Sequence, residues 1–215
     1  MGKKTTVLIV DDSALMRQML TEMLSSDPEL EVVGAANDPI QAREMIKALN
    51  PSVITLDVEM PKMDGITFLD KIMRLRPMPV VMVSSLTQKN AEVTLRALEM
   101  GAVDFIGKPT LDLQRGMEGK RDELIEKVKS AASARIVARK SGPAEKPGTI
   151  KPGPGYLSTE KTVAIGASTG GVEALRQVIC ALPSDCPATL VTQHMPGGFT
   201  QSFSGRMNSL SSVSV

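Results

Sequence analysis

Thr5-Thr6-Val7-Leu8-Ile9-Val10 runs directly into Asp11-Asp12-Ser13, and this junction decides the fold. Six β-branched or apolar residues without polar alternation describe a strand buried on both faces, as in a parallel sheet covered by helices. Leu15, Met16, Met19, Leu20, Met23 and Leu24 follow at helical spacing. The alternation then repeats. Strands are expected at Glu31–Ala35, Val53–Leu56, Val80–Val83 and Val103–Ile106, with helices over Pro39–Leu49, Ile66–Leu75, Ala91–Met100 and Met117–Val137. Such β/α alternation implies an α/β fold, a five-stranded doubly wound parallel sheet with helices on both faces.

The stretch Ser141–Gly155 interrupts the pattern, since eight of its fifteen residues are Gly or Pro. It can sustain neither a helix nor a central strand and reads as a linker. Between Lys120 and Lys151 nine basic residues face four acidic ones, a solvated face and tether, or a docking patch for an acidic partner. Strand signals resume at Thr162–Ile165, then a helix over Val172–Leu182 and a strand over Ala188–Thr192. The terminal SLSSVSV suggests entry into another strand. The expected organisation is therefore a first domain over 1–129, a helix end and linker over 130–160, and the beginning of a second doubly wound α/β domain over 161–215.

Composition narrows the function classes. The chain has 215 residues, 25 Lys plus Arg against 24 Asp plus Glu, 2% aromatics and no Trp. A net charge of +1 offers no electrostatic footprint for nucleic acid, and scarce aromatics leave no base-stacking surface. No apolar run approaches a membrane span. Two cysteines, Cys180 and Cys186, make no disulfide framework. These features together favour a cytoplasmic location.

Functional groups of an open parallel sheet gather at the carboxyl ends of its strands. Here the first strand delivers Asp11 and Asp12, the third Asp57, the fourth Ser84, and the fifth Lys108 followed by Pro109. Taken singly, each has a structural reading: a helix cap, a turn or a surface lysine. Jointly, three carboxylates at one edge require a hard cation, and oxygen-only ligands suit Mg²⁺.

IVDDSALMR, ITLDVEMPKMDG, VVMVSSLT and GAVDFIGKP closely resemble the receiver domains of two-component response regulators, which have a flavodoxin-like fold. The resemblance implies that Asp57 accepts a phosphoryl group from a histidine kinase. It further implies that Asp12, Asp57 and the Glu59 carbonyl hold Mg²⁺, with Asp11 acting through water. Lys108 and Ser84 would meet the phosphoryl oxygens, and Phe105 occupies the aromatic switch position.

In the second domain, Gly166-Ala167-Ser168-Thr169-Gly170 fits G-x-S-x-G, a turn exposing a serine beside a helix N-terminus. An anion-cradling glycine loop competes with that reading, although the spacing is not G-x-G-x-x-G. His194, the sole histidine, ends the next strand 26 residues later, about one crossover away. A neutral imidazole there could serve as general base to Ser168.

The run TVAIGASTGGVEALRQVI with TLVTQHMPGGFTQSFSGRMNSLSSV resembles the catalytic domain of the chemotaxis response regulator protein-glutamate methylesterase/glutamine deamidase family, and the order of receiver, linker and this domain matches its organisation. The resemblance implies hydrolysis of glutamate γ-methyl esters on methyl-accepting chemoreceptors, deamidation of selected glutamines, and a chemotaxis histidine kinase as phosphodonor. It implies Ser168 as nucleophile and His194 as base, with no cofactor for the ester step. The family's third catalytic residue, an aspartate, lies beyond residue 215, so this chain itself is expected to be inactive as an esterase. An unphosphorylated receiver is expected to cover the Ser168 and His194 edge. A transcriptional regulator would need a basic recognition helix after the linker, and Gly166–Gly171 between apolar elements is not one; a dinucleotide-dependent oxidoreductase would bind nucleotide at Gly166–Gly171.

Overall fold

The computed structural model describes residues 4–61, 63–85, 87–108, 114–136 and 161–215. The Ser141–Gly155 linker and Pro109 lie outside the described residues.

The first unit runs β1 (Thr5–Val10), α1 (Ala14–Ser25), β2 (Leu30–Ala36), α2 (Pro39–Leu49), β3 (Val53–Asp57), α3 (Gly65–Leu75), β4 (Val80–Ser84), α4 (Gln88–Glu99), β5 (Asp104–Gly107) and α5 (Gln114–Ser133). Its strands are all parallel, in the order β2-β1-β3-β4-β5. The sequence folds this way because successive strand residues feed opposite cores. Leu8, Val10, Ile54, Leu56, Val80 and Met82 point to the face covered by α2, α3 and α4. Val7, Ile9, Val53, Val81 and Val83 point to the face covered by α1 and α5. Strand order reverses between β1 and β3, so the crevice at their carboxyl ends is the natural ligand site of the sheet.

Helix starts are set by short polar side chains. Ser13, Asp38, Asp64 and Thr87 cap α1 to α4 by accepting hydrogen bonds from backbone N–H groups of the first turn. Gly65 opens α3 against the backbone of β3. A Cβ there would fall 2.0 Å from the Asp57 carbonyl oxygen, so only glycine fits.

The second unit comprises β6 (Thr162–Ala167), α6 (Gly171–Ala181), β7 (Ala188–Gln193) and α7 (Gly197–Leu210). β6 and β7 pair in parallel from Thr162↔Ala188 to Ala167↔Gln193. Val172, Leu175 and Ile179 of α6, with Phe199, Phe203 and Met207 of α7, join the α2–α3–α4 core of the first unit. On the other side Val163, Leu190 and Val191 are exposed.

The strand expected within SLSSVSV is not formed. α7 occupies Gly197–Leu210 and non-helical chain follows it. Phe199, Phe203 and Met207 recur every four residues, a helical stripe that the flanking Gly and Ser residues obscure. Three shifts are smaller. α4 begins at Gln88 rather than Ala91, because Thr87 caps it. β5 is displaced one residue toward Gly107. α5 ends at Ser133 rather than Val137, and Val137 is outside the described residues. Leu15, placed in the apolar stripe of α1, is exposed, leaving Met19, Leu20, Met23 and Leu24 as its buried face.

Candidate phosphoryl-acceptor and hydrolase sites

Asp11 and Asp57 emerge from β1 and β3 at the point where strand order reverses, and both are fully buried. Ser13 N–H donates to Asp11 Oδ1 at 2.8 Å, and Glu59 N–H donates to Asp57 Oδ1 at 3.2 Å. Each carboxylate therefore has one oxygen fixed by the turn that follows its strand. Lys108, at the end of β5, is anchored by its N–H to the Ser84 carbonyl at 2.8 Å. Its Nζ lies 2.8 Å from Asp57 Oδ2 and 3.4 Å from Asp11 Oδ2. Neither Oδ2 atom receives an aligned hydrogen bond among the described residues.

Burial pushes the Asp57 carboxyl up to about 6; Lys108 opposes the rise, and the Asp11 charge adds to it. Burial also raises Asp11, against Lys108 and the Ser13 N–H. For Lys108, burial works against the cation, but Asp57 and Asp11 outweigh it and hold the ammonium above its usual range. One lysine thus stabilises two buried carboxylates that repel each other.

Asp12 is exposed, yet carboxylate oxygens of Asp11, Asp12 and Asp57 all lie within 4.8 Å of one another. Three hard oxygen donors, two with undirected buried lone pairs, fit a Mg²⁺ ion that keeps part of its water shell. Arg17 Nη1 donates to the Asp11 and Asp12 carbonyls at 2.8 and 2.9 Å, fixing the backbone that carries them.

Ser84, buried at the end of β4, does not reach Asp57. Its Oγ donates to the Ser85 carbonyl at 3.3 Å and pairs with Thr94 Oγ1 at 3.1 Å. Phe105 is buried between two partners. Lys127 Nζ sits over the ring, 5.2 Å from its centroid, and the Phe199 ring of α7 stacks with Phe105 at 4.5 Å between centroids and 15° between planes. Lys127, which the charged sequence of α5 places on a solvated face, is instead buried against Asp104 and the Phe105 carbonyl. Beside this stack, Arg206 of α7 grips Glu99 of α4 through two hydrogen bonds of 2.5 and 2.6 Å.

In the second unit, Ser168 and His194 follow directly on Ala167 and Gln193, the last paired residues of adjacent strands. One crossover therefore brings both to one sheet edge, and both are exposed. Gln193, which sequence reasoning passed over, ties the two turns: its Nε2 donates to the Ser168 and His194 carbonyls, each at 3.1 Å. Gly170 sits at φ +73°, which favours glycine, and α6 starts there without a side-chain cap. Uncapped N–H groups next to a serine hydroxyl can face an oxyanion. Among the described residues no side chain hydrogen-bonds the His194 ring.

A receiver fold with a carboxylate trio and lysine at its switch point defines the class: a response regulator carrying a further α/β unit. The response regulator receiver domain model matches residues 7–118, and the CheB methylesterase model matches 163–215. The protein-glutamate methylesterase/protein-glutamine glutaminase of Salmonella choleraesuis is 58% identical over 212 residues, covering 99% of this chain and 60% of the relative. That of Shigella boydii is also 58% identical, with 99% and 67% covered. The solved response regulator domain of Thermotoga maritima CheB is 44% identical with a TM-score of 0.56, covering 62% of this chain and 99% of that one. This chain belongs to the protein-glutamate methylesterase/protein-glutamine glutaminase family. It spans 60% of the length of the Salmonella relative, and about the same share of most of the other curated relatives it matches. No helix among the described residues is long and apolar enough to cross a membrane.

Proposed function

We propose that the chain is the phosphorylation-controlled portion of a chemotaxis methylesterase, with Asp57 as phosphoryl acceptor. The observation that carries this reading is the buried Asp57 carboxylate held 2.8 Å from Lys108 at the switch point of the sheet. An Asp57 carboxylate oxygen attacks the phosphorus of a phosphohistidine or small acyl phosphate; the new P–O bond forms as the bond to the leaving group breaks. Lys108 moves from carboxylate to phosphoryl oxygen and compensates the charge that arrives. Asp11, Asp12 and Asp57, with the Glu59 carbonyl, would hold Mg²⁺, which supplies further compensation of phosphoryl charge. The donor in the cell would be a chemotaxis histidine kinase.

For the second unit, the reading assigns Ser168 as nucleophile and His194 as base toward glutamate γ-methyl esters of chemoreceptors. The hydroxyl proton passes to His194, the serine oxygen bonds to the ester carbonyl, and methanol leaves. Water then releases the glutamate, and an amide substrate would release ammonia in the same scheme. Control in this reading is not simple burial of the reacting groups. Ser168 and His194 face solvent, and the receiver grips α7, which begins three residues after His194. The receiver would thus obstruct the approach of a bulky receptor helix rather than bury the reacting atoms. A modest contact of this kind can be switched by phosphorylation.

The test is labelling with radiolabelled acetyl phosphate and Mg²⁺. Wild-type protein should take up phosphate, and Asp57→Asn should not. Undiminished, alkali-stable labelling of Asp57→Asn would assign the acceptor to a hydroxyl side chain instead.

A further inference from the structure

Ser84 is held away from the acceptor by a residue that no sequence motif marks. Thr94, on the second turn of α4, is completely buried, and so is Ser84. Their hydroxyl oxygens lie 3.1 Å apart, while Ser84 Oγ–H is spent on the Ser85 carbonyl. Thr94 therefore donates to Ser84, and Ser84 donates to backbone; neither is available to Asp57. A buried hydroxyl keeps its partner because losing it leaves an unsatisfied polar group.

A second polar chain runs from the same helix to the same acceptor. Asn90 Nδ2 donates to Ser85 Oγ, Ser85 Oγ donates to Glu59 Oε2 at 3.1 Å, and Glu59 N–H donates to Asp57 Oδ1 at 3.2 Å. Asn90 and Thr94 are four residues apart and share one face of α4. Helix α4 thus grips both the hydroxyl and the loop that flank Asp57.

We propose that Thr94 is a positioning residue for phosphoryl acceptance, holding Ser84 in its withdrawn orientation until a phosphoryl group on Asp57 competes for it. The proposal rests on Asp57 being the acceptor. When Ser84 turns to a phosphoryl oxygen, Thr94 loses its acceptor, and this loss opposes phosphorylation. Thr94→Val keeps the shape and removes the donor, so it destabilises only the withdrawn state.

The experiment measures the affinity of the whole chain for beryllium trifluoride with Mg²⁺ by calorimetry, and the rate of labelling by acetyl phosphate. Thr94→Val should bind beryllofluoride about tenfold more tightly, equivalent to about 1.4 kcal/mol, while Thr94→Ser behaves as wild type. In a Ser84→Ala background, Thr94→Val should change nothing. A merely structural Thr94 would shift binding equally with and without Ser84, which would overturn the proposal; so would unchanged affinity in Thr94→Val. Should Thr94→Val fold poorly by circular dichroism, Thr94→Ala in both backgrounds decides the same comparison. If wild type bound no beryllofluoride and took no label, the Asp57 reading would fall, and this one with it. Binding in wild type without the Ser84-dependent difference would sink this proposal alone.

Discussion

Asp57→Asn should make the metal-free protein more stable, even though it removes an ion pair. The Asp57 carboxyl ordinarily titrates near 3.8 and is raised by burial to about 6. Between those values the native state holds a proton that the unfolded chain has lost, so stability falls as pH rises from about 4 to about 6 and is level above. The interval is worth about 3 kcal/mol, at about 1.4 kcal/mol per pH unit. Asparagine carries no charge to bury and escapes this loss. It also leaves Lys108 with Asp11 alone, at 3.4 Å, so about 3 kcal/mol is an upper bound. The assay is urea unfolding by far-UV circular dichroism in EDTA, across pH 4 to 8. The variant should exceed wild type above about pH 6, and the two should converge toward about pH 4. Saturating Mg²⁺ should raise wild-type stability and narrow the gap. Equal stability at neutral pH in EDTA, or a gap that does not close on acidification, would refute the reasoning.

Other outcomes follow from particular contacts. Gly65→Ala puts a methyl group 2.0 Å from the Asp57 carbonyl oxygen and 3.1 Å from Val58 Cα; a cost of about 3 kcal/mol and loss of acetyl phosphate labelling should be seen together. Phe199→Ala removes the partner of Phe105; a loss of about 3 kcal/mol should appear as faster proteolysis of 161–215 with the receiver fragment left intact. A Glu99→Gln and Arg206→Gln double-mutant cycle should return only about 0.5 to 1 kcal/mol, because Arg206 is partly exposed. Methanol release from methylated receptor by this chain should match its own Ser168→Ala variant. With no carboxylate hydrogen-bonded to His194 among the described residues, the loss expected from other serine hydrolases is about 10⁴-fold; serine-dependent release would show that another group orients the imidazole.

The sheet and its edge were legible because both signals are local. Runs such as Val53–Leu56 and Val80–Val83 are apolar at every position, and Asp57, Ser84 and Lys108 stand at or just past the strand ends. What escaped depends on pairing across space. Thr94 and Asn90 look like ordinary polar residues of a helix; only the packing of α4 over β4 gives them Ser84 and Ser85 as partners. Gln193 reads as a strand end, and its bridging role needs both turns in place. Lys127 reads as solvated because charge in an amphipathic helix is normally exterior, yet Asp104 and the Phe105 carbonyl take it inward. The helical stripe of α7 was readable, but serine and glycine diluted it below the strand signal of the last residues.

The stacked pair Phe105 and Phe199 also provides an optical handle. The chain has no tryptophan, so Phe199→Trp would introduce its sole indole fluorophore at the contact between the two units. The new ring would lie against Phe105 in a dry setting and emit toward the blue. Any event that parts α7 from α4 would expose it to water and shift that emission to the red. Whether acetyl phosphate parts the two units could then be followed in real time by stopped-flow fluorescence, without receptor, kinase or label.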